Sequence, residues 1–229
     1  MAPYRWLLMD ADNTIFDFDA ASDQSLKSLF ARHGLPADPA LEAAYHAINT
    51  AIWAEHDKGL IALDDLVVER FRRFFQTQGI QGDPAAWNKE YLDGLADCWT
   101  LLDGAAELVL ALSQRYTLAL VTNGVEYVQR RRLADSGLEP LFGGRLFISG
   151  SMGCKKPERA FFEKVLAELG VDDQRDRVLV IGDGLSSDIT GALNAGLDCV
   201  WYDPKGADPR GLEPTYTVNS LEALGGLLL

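Results

Sequence analysis

The stretch DADNT at residues 10–14 follows directly on the short apolar run WLLM at residues 6–9. If the apolar run is a buried strand, Asp10 and Asp12 lie past its carboxyl end, and residues two apart project to the same side. Two carboxylates that face one point repel each other unless a cation or a proton lies between them. The pair therefore indicates a hard metal ion or acid–base chemistry, and a turn rich in Asp and Asn is the structural alternative.

The composition is that of an ordinary globular chain. The 229 residues, 48% hydrophobic and 24% charged, suffice for one large domain or for a core domain with an insertion. The formal net charge of -13 argues against nucleic acid polymers and anionic membranes as partners, because phosphate-rich surfaces bind clustered Lys and Arg. A small anionic substrate remains compatible if a metal ion or a few basic residues supply local positive charge.

The cysteines and histidines predict no structural zinc. Cys98, Cys154 and Cys199 lie far apart and lack CxxC spacing, which is typical of a reducing compartment. The three histidines lack metal-ligand spacing as well: His33, His46 and His56. No basic segment precedes an apolar stretch, and no apolar run approaches the about 20 residues that span a bilayer. We therefore expect a soluble, cytoplasmic protein.

The segment from residue 19 to residue 100 contains no further apolar, β-branched run. Its pattern predicts four amphipathic helices, at residues 20–33, 39–58, 63–78 and 84–98, separated by stretches that contain Gly or Pro. Four helices of this length form a small bundle of their own. We therefore predict an inserted helical domain at residues 19–100.

From residue 101 onward, helices alternate with apolar strands. The strands are predicted at residues 117–121, 146–148, 178–181 and 199–202, and the helices at residues 104–114, 125–136, 158–169 and 187–195. Continuous apolar strands that alternate with helices predict a parallel sheet covered on both faces. The predicted fold is therefore α/β, with a Rossmann-like core at residues 1–18 and 101–229 that carries the helical insertion.

Polar residues follow the predicted strands where each strand ends. They are Asp10 and Asp12 after the first strand, Thr122 and Asn123 after the second, Lys155 and Lys156 in the loop after the third, and Asp183 after the fourth. Ligand sites in parallel α/β folds lie beyond the carboxyl ends of the strands. We therefore expect these side chains to meet at one edge, which favours a functional site over a simple turn.

These stretches, in this order, resemble the haloacid dehalogenase superfamily over almost the whole chain. Four signatures carry the resemblance: Asp-x-Asp-x-Thr at residues 10–14, a Thr at a strand end at Thr122, a Lys before Pro at Lys156-Pro157, and Gly182-Asp183 followed by Asp188. The helical segment between the first two signatures resembles the family's first-type cap, a small bundle that closes over the site.

Within the superfamily, DADNTIF at residues 10–16 and VTNG at residues 121–124 most resemble the pyrimidine 5'-nucleotidase branch. The stretch NAGL at residues 194–197, with Trp201 after it, adds to this resemblance. It implies a magnesium-dependent phosphomonoester hydrolase that acts on nucleoside or deoxynucleoside monophosphates and prefers pyrimidines.

The resemblance also implies a role for each site residue. Asp10 is the nucleophile that forms an aspartyl phosphate, and Asp12 protonates the leaving alcohol and then activates water. Of the two carboxyl groups, Asp12 is expected to carry the proton. Lys156 neutralises the nucleophile and the phosphoryl group, and Thr122 hydrogen-bonds a phosphoryl oxygen. The expected Mg²⁺ ligands are Asp10, Asp183, a backbone carbonyl of Asp12, and Asp188 directly or through water.

Other residues are candidates for contact with the substrate. Asn123 lies beside Thr122, and Phe16 and Trp53 are the aromatic residues predicted to stack on a nucleobase. Alternatives on the same core are a phosphatase or phosphomutase of small sugar or acid phosphates, and a dehalogenase. Dehalogenases of this superfamily lack the second aspartate of the first signature. A non-enzymatic phosphorylation switch of the receiver type is opposed by the length of the chain. The physiological substrate and the oligomeric state are left open.

Overall fold

The computed structural model describes residues 4–229, which form two compact units. One unit contains the described residues up to Asp17 together with Thr100–Leu229, and the other contains Phe18–Trp99. The prediction from sequence placed each junction one residue later. That the smaller unit acts as a cap stays a prediction.

The smaller unit is a bundle of helices packed around aromatic rings. Its helices are α1 (Phe18–Arg32), α2 (Pro39–Asp57), α3 (Leu63–Gln78) and α4 (Pro84–Asp97). The side chains of Asp38 and Asp83 cap α2 and α4 by accepting hydrogen bonds from the N–H groups of Ala40 and Ala85. Its core contains the buried rings of Phe30, Tyr45, Phe71, Phe74, Trp87 and Tyr91. Since aromatic rings bury large apolar areas, the bundle has a core of its own.

The larger unit is built on a parallel sheet. Its strands are β1 (Trp6–Met9), β2 (Thr117–Thr122), β3 (Leu146–Ile148), β4 (Val178–Gly182), β5 (Asp198–Tyr202) and β6 (Tyr216–Val218). Within the described residues the strand order is β3-β2-β1-β4-β5-β6, and every neighbouring pair is parallel. The predicted α/β class is therefore confirmed.

Helices cover both faces of this sheet. They are α5 (Ala105–Ser113), α6 (Glu126–Asp135), α7 (Glu139–Phe142), α8 (Ser149–Met152), α9 (Arg159–Leu169), α10 (Thr190–Ala195) and α11 (Leu221–Leu228). Leu7 and Met9 belong to one apolar cluster, with residues of α5 and α11, and Leu8 belongs to the other, with residues of α9 and α10. Burial on both faces explains why β1 is apolar throughout.

Two elements at the C-terminal end were not predicted from the sequence. β6 pairs with β5 at the edge of the sheet, and α11 is capped by Ser220, whose hydroxyl accepts a hydrogen bond from the N–H of Ala223. β6 is short and only partly buried, so it lacks the continuous apolar run that identifies the inner strands.

The central position of β1 places the predicted site residues close together. Met9 is aligned with Leu120 of β2 on one side and with Ile181 of β4 on the other. Residues that follow these three strands therefore lie side by side at the carboxyl edge. Among residues 4–229, every helix is too short or too polar to cross a lipid bilayer.

Candidate active site

The stretch after β1 is both a turn and part of the site. The N–H of Asp10 donates to the carbonyl of Ile181 at 2.9 Å, which extends the strand pairing by one residue and fixes Asp10 at the sheet edge. The chain then turns back, and the N–H of Phe16 donates to the carbonyl of Ala11 at 2.9 Å. Asn13 has a φ of 54°, a left-handed conformation that Asn tolerates better than most residues. The turn thus presents the two carboxylates on either side of Ala11.

Lys156 lies at the centre of the site and joins two carboxylates. Its Nζ donates to Asp10 Oδ1 at 2.5 Å, to Asp188 Oδ1 at 2.6 Å and to the carbonyl of Val121 at 2.9 Å. The lysine is only 2% exposed. Burial by itself lowers the pKa of the amine, but Asp10 and Asp188 outweigh this effect and raise it above its usual value. The lysine is therefore a fixed positive charge beside Asp10.

The backbone of Lys156 is held by Asn123. Asn123 Nδ2 donates to the Lys156 carbonyl at 2.8 Å, and the Lys156 N–H donates to Asn123 Oδ1 at 3.0 Å. Both polar ends of the amide are engaged in this way, and Asn123 is buried. The structure therefore gives Asn123 a positioning role, and its contact with a substrate stays a prediction.

Three carboxylates of the larger unit form a cluster suited to a cation. Asp10, Asp183 and Asp188 each offer an oxygen, and these oxygens lie within 4.8 Å of one another. Burial raises the pKa of Asp10 well above its usual range, against the effect of Lys156. Burial and the charge of Asp188 raise the pKa of Asp183 to about 7. One lysine does not balance three carboxylates, and an all-oxygen set of this kind fits a hard divalent ion such as Mg²⁺.

Asp188 reaches the cluster from a single turn of π-helix, Leu185–Ile189. Its Oδ2 accepts a hydrogen bond from the N–H of Gly184 at 3.1 Å. A Cβ atom on Gly182 would lie 2.4 Å from Asp188 Cγ, so only glycine leaves room for this carboxylate. The close approach gives a physical reason for the glycine that precedes Asp183.

Thr122 lies at the end of β2 and is buried. Its Oγ1 accepts hydrogen bonds from the N–H of Gly124 at 3.0 Å and from Gln129 Nε2 at 3.4 Å. Both contacts use the oxygen as an acceptor, so the hydroxyl can still donate its own proton. This arrangement is compatible with the predicted hydrogen bond to a phosphoryl oxygen.

The side chain of Asp12 is held by two donors of α6. Arg132 Nη1 donates to Asp12 Oδ1 at 2.5 Å, and Gln129 Nε2 donates to Asp12 Oδ2 at 2.6 Å. The two donors hold different oxygens of the carboxylate. That Asp12 carries the proton and acts as acid and base stays a prediction.

The family model of haloacid dehalogenase-like hydrolases matches residues 4–196. The chain belongs to this family. The recognition drawn from the four signatures is thus confirmed.

Two relatives of this hydrolase are pyrimidine 5'-nucleotidases. PynA of Streptococcus pneumoniae is 36% identical over 223 residues, which are 96% of this chain and 93% of PynA. YjjG of Escherichia coli is 33% identical over 226 residues, which are 98% of each chain. Among solved structures, the HAD-hydrolase YfnB of Bacillus subtilis, bound to magnesium, is 36% identical with a TM-score of 0.92, and the match covers 98% of each chain.

Two residues at the site of the hydrolase were not predicted from the sequence, Gln129 and Arg132. Arg132 is the last of three consecutive arginines, and its side chain is 1% exposed, whereas Arg130 and Arg131 are exposed and pair with Glu126 and Asp135. The rotation of α6 about its own axis, relative to the sheet, decides which arginine points inward. Val128 and Leu133 are the apolar residues of α6 that are buried beside Arg132, and two such residues are a weak signal in the sequence.

The two aromatic candidates lie in different units of the hydrolase. Phe16 is fully buried, and the guanidinium of Arg132 lies 4.5 Å from the centroid of its ring. Its contact with a nucleobase stays a prediction. Trp53 lies in the helical unit, half-buried, with its ring 5.5 Å from that of His56. Its contact with a substrate stays a prediction.

Proposed function

We propose that this hydrolase is a magnesium-dependent phosphatase that releases phosphate from nucleoside monophosphates, with a preference for pyrimidines, through an aspartyl phosphate. The observation that carries the proposal is the placement of Asp10 against a buried lysine and two further carboxylates. The names of the relatives PynA and YjjG support the substrate class. We assign the choice of substrate to the helical unit Phe18–Trp99.

Asp10 is the proposed nucleophile. Its Oδ1 accepts the hydrogen bond from Lys156, so we assign the attack on phosphorus to Oδ2. Burial disfavours the charged form of this carboxylate, and the lysine opposes that effect. The residues that would hold Mg²⁺ are Asp10, Asp183, Asp188 and the carbonyl of Asp12. When bound, the ion supplies the positive charge that a phosphate dianion requires beside these carboxylates.

Asp12 is the proposed acid and base. In the first step Asp10 Oδ2 bonds to phosphorus, the bond from phosphorus to the ribose oxygen breaks, and a proton passes from Asp12 to that oxygen. In the second step a water oxygen attacks phosphorus, its proton passes to Asp12, and the bond to Asp10 breaks. Thr122 and Lys156 stabilise the charge on the transferred group in both steps.

Two alternative functions are less well supported, one on the same core and one of another class. A dehalogenase would need no acid at the position of Asp12, which here is held by two donors. A receiver-type switch would not account for the match to a family of hydrolases.

The test is phosphate release from a panel of monoesters by the full chain with Mg²⁺. The panel contains dUMP, dTMP, UMP, AMP, a hexose phosphate and phosphoserine, compared by kcat/KM. We expect pyrimidine nucleotides to be hydrolysed best, EDTA to stop the reaction, and Asp10→Asn to abolish it. The matched control is Glu163→Gln on α9, whose side chain is 43% exposed and which should leave activity unchanged.

Two outcomes would contradict the proposal. If no monoester released phosphate and Asp10→Asn behaved like the wild type, the phosphatase would be refuted. If hexose phosphates were far better substrates than every nucleotide, the chemistry would stand and the nucleotide preference would be refuted.

A further inference from the structure

Two buried side chains of α6 hold the carboxylate of Asp12 between them. We propose that Arg132 and Gln129 are positioning residues that aim Asp12 at the leaving oxygen of the substrate. This inference rests on the proposed function, because it concerns the acid of the first step. Neither residue belongs to the four signatures from which the family was recognised.

The two contacts hold both oxygens of the Asp12 carboxylate. Arg132 Nη1 is 2.5 Å from Oδ1, and Gln129 Nε2 is 2.6 Å from Oδ2. A carboxylate held at one oxygen can still rotate about its terminal torsion, which is a soft degree of freedom. Because the two donors hold different oxygens, they fix the plane of the group. Gln129 and Arg132 are three residues apart on α6 and so lie on the same face of the helix.

The two donors are themselves held in place. Arg132 is 1% exposed, and its guanidinium packs on the ring of Phe16 at 4.5 Å from the centroid. Gln129 is 2% exposed, and its Nε2 also lies 3.4 Å from Thr122 Oγ1. Gln129 therefore links Asp12 to the hydroxyl proposed to bind the phosphoryl group.

The arrangement leaves part of the Asp12 carboxylate accessible. A carboxylate has about four lone-pair positions, and the two donors occupy one on each oxygen. The side chain of Asp12 remains 27% exposed, whereas that of Arg132 is 1% exposed. One side of the Asp12 carboxylate is therefore held against α6, and the other side is accessible to solvent.

The competing explanation is that the pair only stabilises the fold. The two explanations differ in how catalysis depends on the leaving group. A p-nitrophenolate ion departs without a proton, whereas the alkoxide of a nucleoside requires one, so misplacing the acid harms only the nucleotide reaction. The quantity to compare is kcat/KM, which covers only the steps up to release of the first product.

The experiment measures kcat/KM for dUMP and for p-nitrophenyl phosphate at saturating Mg²⁺. The variants are Arg132→Met, Arg132→Lys and Gln129→Leu, and the matched control is Arg131→Gln on the exposed side of α6. We expect Arg132→Met to lose about 100-fold on dUMP and about twofold at most on p-nitrophenyl phosphate. Gln129→Leu should show the same selectivity with a smaller loss, and Arg132→Lys should recover part of the activity on dUMP.

Equal losses on the two substrates, or no loss on either, would overturn the inference. If Arg132→Met does not fold, as judged by circular dichroism, Gln129→Leu and Arg132→Lys decide the question by the same comparison. A wild-type enzyme that hydrolysed neither substrate would refute the proposed function itself, which is a different result.

Discussion

The amine of Lys156 lies 2.5 Å from the carboxylate of Asp10, although the two residues are 146 positions apart in the sequence. Both side chains are buried, and the same amine also contacts Asp188. The pair couples the proposed nucleophile to its counter-ion. It also compensates charges that burial would otherwise destabilise.

Replacing this lysine should therefore affect both catalysis and stability. We expect Lys156→Met to lower kcat about 1000-fold, because the charge beside the nucleophile and the phosphoryl group is lost. Without a cation in the cluster, the free energy of unfolding should fall by about 3–5 kcal/mol. Steady-state kinetics and urea denaturation in EDTA measure the two effects. Lys155→Met is the matched control, and a similar loss of activity in that variant would contradict the assignment.

The binding of Mg²⁺ should depend on pH through Asp183. Its pKa is raised to about 7 by burial and by Asp188, so in the metal-free protein it holds a proton below that pH. Because Mg²⁺ must displace this proton, its apparent affinity should fall as pH drops below about 7 and level off above it. The increase in Tm on adding Mg²⁺ should be larger at about pH 8 than at about pH 5.5.

In the metal-free protein, Asp183 should have the opposite effect on how stability depends on pH. At pH values between 3.8, the usual pKa of the group, and about 7, its pKa in the folded protein, folded Asp183 binds more protons than unfolded Asp183. The contribution of Asp183 to stability therefore declines as pH rises through that interval. In Asp183→Asn, both the Mg²⁺ effect and its pH dependence should vanish. A Mg²⁺-induced shift in Tm that is the same at both pH values would exclude this account.

Gly124 should be required for the position of Gln129. A Cβ atom at Gly124 would lie 2.1 Å from Gln129 Nε2, so Gly124→Ala must displace the amide that holds Asp12. We expect a loss of about 10-fold in kcat/KM for dUMP and little change for p-nitrophenyl phosphate. The control is Gly150→Ala on α8, where a Cβ atom meets nothing within 4 Å. Unchanged hydrolysis of dUMP by Gly124→Ala would show that Gln129 is not needed.

Removing the side chain of Asn123 distinguishes positioning from substrate binding. Asn123→Ala deletes both hydrogen bonds to the backbone of Lys156, at 2.8 and 3.0 Å. If the amide positions the lysine, kcat should fall about 10-fold or more while KM changes little. If Asn123 binds the substrate in the ground state, KM should rise and kcat should hold.

Much of the fold was predictable because it depends on local pattern. The continuous apolar runs of β1, β2 and β4 identify inner strands of a parallel sheet, since only strands buried on both faces are apolar throughout. The edge strand β6 was missed because one side of a short edge strand remains open, and its sequence therefore alternates. The sequence also did not reveal that Phe16 is buried, because an aromatic residue in a turn has the same local sequence pattern whether it packs inward or outward.

Several site residues could be assigned to one edge of the sheet from the sequence alone, because the carboxyl ends of parallel strands lie at the same edge. They are residues 10–14, Thr122, Lys156 and Asp183. Only the tertiary structure decided that β1 lies between β2 and β4, which brings Lys156 against both Asp10 and Asp188. It alone also decided that Arg132, and not its neighbouring arginines, meets Asp12. That choice depends on how α6 is rotated against the sheet, and the rotation is set by packing between residues far apart in the chain.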